Sequence, residues 1–279
     1  LKIIEGIDGT WSAGDYFKID TGAGSPTARN GLATPALADT DGNGTVDRVY
    51  AGDLQGNMWA FDLSDPSNPM LANNSTSPLF VTKGNRPITA KPTLAKHPTE
   101  SDSNSNEPNI MVYFGSGQYL VNADKTTAAD NHFYGAWDKG FSALTNSNLI
   151  EQTFRSGFTY DHDNDVATAP IAARVLTQNT VDYTAGKYGW FLELPDVGER
   201  SITRPAVRDG SVFFNTFVPA SDPCSIGGFG YRMVVDATSG GATSEPQTDT
   251  NDDGLVDDRD TSSDSTGVNP ETPTIGGTR

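Results

Sequence analysis

Hydrophobic and polar positions along this chain fall into short β-rich runs bounded by Gly, Pro, Asn and Asp, a pattern that suits many short strands joined by turns better than long helices. The runs recur in a fixed order. Thr34-Pro35-Ala36-Leu37 opens one unit and is followed by Val49–Asp53, Gly56-Asn57 and Met58–Asp62. Lys91-Pro92-Thr93-Leu94 precedes Val112–Gly117 and Phe133–Asp138 in the same order, and Arg204-Pro205-Ala206-Val207 precedes Val212–Thr216 and Gly230–Asp236. The opening prolines, at 35, 92, 205 and 273, lie 57, 113 and 68 residues apart. Because 113 is close to twice 57, one unit is expected to have lost its opening signature while keeping its closing strand at Gly189–Leu194. With Tyr16–Asp20 this makes five closing strands.

A repeat of roughly 40 to 60 residues with an opening strand, a Gly turn and an aromatic closing strand is the sequence form of a β-propeller blade, whose wedge shape needs bulky side chains to fill the gap between neighbouring sheets. The competing reading is a β-sandwich. The fold expected over residues 1–279 is therefore all-β, a partial propeller ring of about four to five blades. Residues 1–20 supply only the latter part of a unit and Thr272-Pro273-Thr274-Ile275 the opening of another. A ring that stopped there would expose blade edges, so a longer propeller is expected.

Composition narrows the partners. With 36 acidic against 19 basic residues and a formal charge of −17, neither nucleic acid nor an anionic membrane surface is expected, since both need clustered Lys and Arg. No apolar run approaches the ~18 residues of a membrane span, so no membrane insertion is expected. Cys224 is the single cysteine, which rules out an internal disulfide framework and a Cys-rich zinc site. The start at Leu1, without an initiator Met or a basic and apolar leader, reads as a mature product or a fragment.

Part of the acidity is organised. In Asp39-Thr40-Asp41-Gly42-Asn43-Gly44-Thr45-Val46-Asp47, oxygen-bearing residues occupy loop positions 1, 3, 5 and 9, glycine occupies 6, Thr45 offers a carbonyl at 7, and Val46 at 8 is expected to anchor the loop. Alternate oxygen ligands around a tight glycine turn suit a hard cation, and calcium in particular. Position 12 is Tyr50 in place of the bidentate Glu of an EF-hand, and the flanks read as strands. A second copy runs from Asp249 to Asp260, with Asp249, Asn251, Asp253 and Asp257 at positions 1, 3, 5 and 9, Gly254 at 6, Leu255 at 7, Val256 at 8 and Asp260 at 12. It lies in an acidic insertion, residues 240–270, expected between blades. A solvated Asp/Asn/Gly turn is the plainer reading of either loop.

Other chemical signals are weak. The Asp161–Asp165 cluster lacks the position 6 glycine, and His97, His132 and His162 form no short-spaced metal pair. Gly115-Ser116-Gly117 is not a nucleophile elbow, and no phosphate-binding glycine loop occurs. No enzymatic activity is expected.

Several segments resemble the PilY family of type IV pilus tip-associated proteins. They include Lys18–Ser25, Asn30–Pro35, the Asp39–Asp47 loop, Tyr50–Trp59, Arg86–Pro92, Val112–Leu120, Phe133–Asp138 and Ser221–Ser225, and the likeness covers about residues 15 to 240. The resemblance implies a C-terminal, quinoprotein-like β-propeller of a larger secreted protein, located at the pilus tip or outer cell surface. It implies roles in pilus biogenesis, in countering retraction, in adhesion and in twitching motility, with tip minor pilins, the N-terminal remainder of the same protein and a host or abiotic surface as partners. In the family, a calcium loop matching Asp39, Asp41, Asn43, Thr45 and Asp47 regulates extension and retraction. The Arg-Gly-Asp adhesion tripeptide of some members does not occur here. Two alternatives from other classes are a quinone-dependent dehydrogenase, which typically carries adjacent cysteines, and an integrin-like calcium propeller, which expects acidic loops in successive blades.

Overall fold

The computed structural model describes residues 2–4, 16–74, 76–100, 106–155, 158–159, 173–220, 227–249, 254–256, 263–264 and 275–278. Among them there are strands and four short 3₁₀ turns, and no α-helix. The first sheet runs Ala36–Ala38, Arg48–Gly52 and Asn57–Asp62, with Met70–Leu71 and Phe80–Val81 both paired on the outer side of Asn57–Asp62. The second runs Thr93–Lys96, Ile110–Gly115, His132–Asp138 and Gly189–Glu193, all antiparallel, with Ile150–Gln152 parallel at the outer edge. The third runs Ala206–Arg208, Ser211–Asn215, Arg232–Asp236, Ile275–Thr278, Ala173–Leu176 and Phe154–Arg155. Lys2–Ile4 and Tyr16–Lys18 form a separate two-stranded ladder.

Side chains alternate between two cores, as the two-residue period of a strand requires. Ile110, Val112 and Phe114 meet Tyr50, Met58, Ala60 and Phe80 of the first sheet, whereas Met111 and Tyr113 join Val212, Phe214, Met233 and Val235 of the third. The second sheet is thus covered on both faces by different sheets. This excludes a two-layer sandwich and is the face-to-face packing of propeller blades. Aromatic rings fill the wedges: Phe133 stacks on Phe214 with centroids 3.7 Å apart. Polar ties cross the same gaps. Tyr50 donates to Asp138 Oδ2 at 2.8 Å, and Tyr113 and Trp190 both donate to the Ala237 carbonyl at 3.0 Å. Burial raises the Asp138 carboxyl above the ordinary carboxylate range.

The glycines that end the second strands, Gly52 and Gly115, have a shared cause. A Cβ on Gly52 would lie 2.2 Å from the Ile88 side chain, and one on Gly115 2.4 Å from Ser201 Cβ and 2.5 Å from its carbonyl oxygen. Ile88 and Ser201 belong to the connections that enter the second and third sheets, and each binds back onto the preceding sheet: Ile88 N donates to Asp53 O at 2.9 Å and Ser201 N to Ser116 O at 3.1 Å.

Three sequence expectations are corrected by this topology. Gly189–Glu193 does not close a unit of its own. It is the fourth strand of the second sheet, paired with His132–Asp138 through Trp190↔Gly135, so the 113-residue interval reflects one sheet with a long excursion before its fourth strand. Ile275 does not open a new unit, because Ile275–Thr278 pairs with Arg232–Asp236 in the third sheet; Thr272–Thr274 lie outside the described residues. For the same reason residues 240–270 fall, in chain order, between two paired strands of one sheet, Arg232–Asp236 and Ile275–Thr278. Both excursions leave from the third strand and return as the fourth, paired beside it, with a further strand of the same sheet on its other side.

Candidate cation site

The first acidic loop closes the hairpin between Ala36–Ala38 and Arg48–Gly52. The last ladder pair is Ala38↔Arg48, and Asp47 N donates to Ala38 O at 2.9 Å. The loop folds on its own carboxylates. Gly42 N and Gly44 N donate to Asp39 at 2.6 and 2.8 Å, Asn43 N and Nδ2 to Asp41 at 3.0 and 2.8 Å, and Thr40 N and Oγ1 to Asp47 Oδ2 at 2.7 and 2.9 Å. Gly44 sits at φ +88°, in the left-handed region that favours glycine. The Gly44 N–H holds the Asp39 carboxyl below its ordinary range against the opposing effect of burial, with help from Gly42, Asp41 and Asn43.

The structure brings Asp39, Asp41 and Asp47 together: one carboxylate oxygen from each lies within 4.8 Å of the others. Asp39 and Asp41 are exposed and Asp47 is buried at the loop's neck. Asn43 and Thr45 are exposed, and the Asn43 side-chain oxygen accepts from Thr45 N at 2.7 Å. Val46 does not anchor the loop. It is 37% exposed, and the anchor is the buried Thr40–Asp47 pair instead.

In the second loop, Gly254 N donates to Asp249 Oδ2 at 2.9 Å, with Gly254 at φ +83°, which repeats the Gly44–Asp39 arrangement. Leu255 and Val256 are exposed. Asn251, Asp253, Asp257 and Asp260 lie outside the described residues, as do Asp161–Asp165, His162 and Cys224. His97 and His132 are buried in separate aromatic surroundings, His97 against Trp137 and Tyr183, His132 against Tyr134 and Phe191.

Sequence reasoning missed two buried charged hubs. Asp53, 1% exposed, accepts from Asn30 Nδ2, Asn57 Nδ2 and Trp59 Nε1 on one oxygen, each at 2.8 Å, and from Gln55 N and Asn57 N on the other at 2.9 Å. Glu199, fully buried, forms a fork with Arg174 at 2.6 and 3.0 Å, and the Arg174 guanidinium lies 3.3 Å from the Tyr231 ring centroid. The Asp53-x-x-Gly-Asn turn signal was visible in the sequence; the Arg174–Glu199 pair had none.

Residues 8–165 match the profile described as the PilY1 beta-propeller domain, more than half of the chain. The chain belongs to this family. Curated PilY1 relatives include a "Type IV pilus biogenesis factor PilY1 homolog" of Xylella fastidiosa, 34% identical over 229 residues, and the "Type IV pilus biogenesis factor PilY1" of Pseudomonas aeruginosa, 32% identical over 270 residues. The matches cover 76% and 82% of this chain but only 14% and 22% of those relatives. The solved C-terminal domain of Pseudomonas aeruginosa PilY1 superposes with a TM-score of 0.72 at 28% identity, covering 91% of this protein and 56% of that one. The PilY-type β-propeller expected from the sequence is therefore the fold of this protein.

Proposed function

We propose that this PilY1-family propeller is a calcium-switched structural and adhesive module of a type IV pilus biogenesis factor, with no reaction catalysed. On this reading it works outside the cell, at the pilus tip or outer surface, where it supports attachment and twitching motility. It would act with tip minor pilins, the rest of its own protein and a host or abiotic surface. The observation that carries the calcium part is the convergence of Asp39, Asp41 and Asp47 at the neck of one strand-to-strand loop. The donor set fits: all three offer hard carboxylate oxygens, and the amide oxygen of Asn43 and the carbonyl of Thr45 stand in the same loop.

Calcium, when bound, would supply positive charge that offsets the mutual repulsion of these carboxylates. The protein's own residues give that charge a lever. Asp47 is tied to Thr40 across the neck, its amide donates to Ala38, and its carbonyl accepts from Leu63 N at 2.7 Å. A change in the loop therefore acts on both the Arg48–Gly52 strand and the end of the Asn57–Asp62 strand.

Calorimetric titration with calcium, and melting with and without chelator, test the reading. A saturable heat is expected, with a melting temperature roughly 5 °C higher at one hundred times Kd. Asp47→Ala and Asp41→Ala are both expected to abolish the heat, and Asp41→Ala leaves the Thr40–Asp47 clamp in place. Undiminished heat in both variants, or an unchanged melt in excess chelator, would overturn it.

A further inference from the structure

The connections entering the second and third sheets carry one short motif, Arg86-Pro87-Ile88-Thr89 and Arg200-Ser201-Ile202-Thr203. The blade arrangement sets them side by side on the same end of the sheets. Gly117 N donates to Pro87 O at 2.7 Å, and Ser201 N donates to Ser116 O. Both arginines line a single cavity of about 100 Å³, together with Gly117, Gln118, Thr127 and Asn131. Because Ile88 binds the Asp53 turn that follows the Arg48–Gly52 strand, this cavity lies at the opposite end of the strands from the Asp39–Asp47 loop.

Arg200 is 2% exposed, and backbone carbonyls engage most of its donors. Its Nε donates to Gly198 at 2.9 Å, Nη1 to Gln118 and Asp124 at 2.7 and 2.8 Å, and Nη2 to Thr127 at 3.4 Å. Carbonyls supply hydrogen bonds but no negative charge. The facing acidic group is Asp124, whose carboxylate already accepts from Gln118 Nε2, Leu120 N and Val121 N. Tyr119 is the other titratable group near Arg200. Arg86 donates through Nε to Asp130 O at 3.1 Å, and among the described residues neither arginine is in an ion pair.

Two arginines thus line one small volume, with the Arg86 terminal nitrogens, which have no hydrogen bond among the described residues, and the weakly engaged Nη2 of Arg200 left to donate. A planar two-oxygen anion matches that set, since the guanidinium fork pairs with a carboxylate through parallel bonds. The cavity holds about three water volumes, room for a carboxylate head and little more. We propose that this cleft binds a carboxylate presented by a partner protein, from an acidic side chain or from the partner's free C-terminus.

The test uses the whole protein, amide chemical shifts and calorimetry at fixed ionic strength, with sodium chloride as reference. Acetate is expected to bind with a Kd of about 1 to 10 mM, the range open to so small a ligand, and to move the amides of Gly117, Gln118 and Asn131. Arg86→Gln, at the half-buried arginine, should weaken it at least ~10-fold, with Arg86→Lys intermediate. The peptides Ac-Ala-Glu-Ala-NH2 and Ac-Ala-Ala-Ala-OH distinguish side-chain from terminal carboxylates, and competition with acetate by either one supports the proposal. Binding of inorganic phosphate without acetate overturns the carboxylate assignment. Acetate binding that neither peptide competes with overturns the partner, and unchanged affinity in Arg86→Gln overturns the site. Calcium addition should leave all these values unaltered, so the result stands apart from the loop's reading.

Discussion

Acidification below pH 6.5 should destabilise this propeller through His97, and the size of the effect follows from the ring's surroundings. His97 is 3% exposed, its ring centroid 4.2 Å from that of Trp137 and 4.4 Å from that of Tyr183. Its Nδ1 accepts from Thr99 N at 3.3 Å and Glu100 N at 3.2 Å, which assigns the proton of the neutral ring to Nε2. Burial, and then the charge of Lys139, lower its pKa from 6.5 to about 4. The folded state thus resists a proton that the unfolded state accepts. The stability His97 contributes is fully present above pH 6.5 and is lost as pH falls toward 4, at about 1.4 kcal/mol per pH unit. Between pH 7 and pH 5 the loss is about 2 kcal/mol. Burial also lowers the His132 pKa, in the same direction, although Glu193 opposes it, so the measurement is a difference. Urea unfolding of the native protein and of His97→Phe is compared at pH 7 and pH 5. The variant loses the acceptor for two backbone N–H groups and is less stable at both values, but its pH dependence should be shallower by about 2 kcal/mol. Parallel curves for the two proteins would refute the reasoning.

Two further outcomes follow from the packing. Gly115→Ala should cost about 2 to 3 kcal/mol in chemical denaturation, because its Cβ meets the Ser201 carbonyl as well as the side chain; a loss below about 0.5 kcal/mol would show that the connection can move aside. Asp53→Ala orphans five donors and should cost about 3 kcal/mol or more while shifting the Trp59 indole N–H resonance; a stability within about 1 kcal/mol of the parent, with that resonance in place, would contradict the hub.

The inner three strands of each sheet were legible because their order is local. Ala36–Ala38, Arg48–Gly52 and Asn57–Asp62 follow one another with short connections, and each opens or closes on a turn residue the sequence displays. The fourth strands were not legible. Gly189–Glu193 has the same pattern whether it ends one sheet or belongs to another, and its partner lies some fifty to sixty residues earlier, a distance over which alternation carries no information. The Asp39–Asp47 cluster was readable for the same local reason, since its carboxylates converge within one hairpin loop. Val46 failed as an anchor because the motif does not say which residue closes the neck, and a polar pair, Thr40 with Asp47, does so here. The two arginines are not marked by the proline repeat, because Arg86 precedes Pro92 by six positions and Arg200 precedes Pro205 by five; matching Arg86-x-Ile-Thr to Arg200-x-Ile-Thr pairs them directly.

The Ile275–Thr278 strand has a bearing on how the third sheet is made. It lies between Arg232–Asp236 and Ala173–Leu176, which have no ladder with each other. During synthesis from the N-terminus, the two halves of that sheet stay separate until the last of these residues emerges. Closure then spans about one hundred positions, the kind of long-range pairing that slows folding and leaves unpaired edges in the meantime. The first sheet, by contrast, is complete by Val81 and can form early. Assembly is therefore polarised along the sequence, and a ribosome that paused near residue 270 would hold a molecule with two finished sheets and a third still split in half.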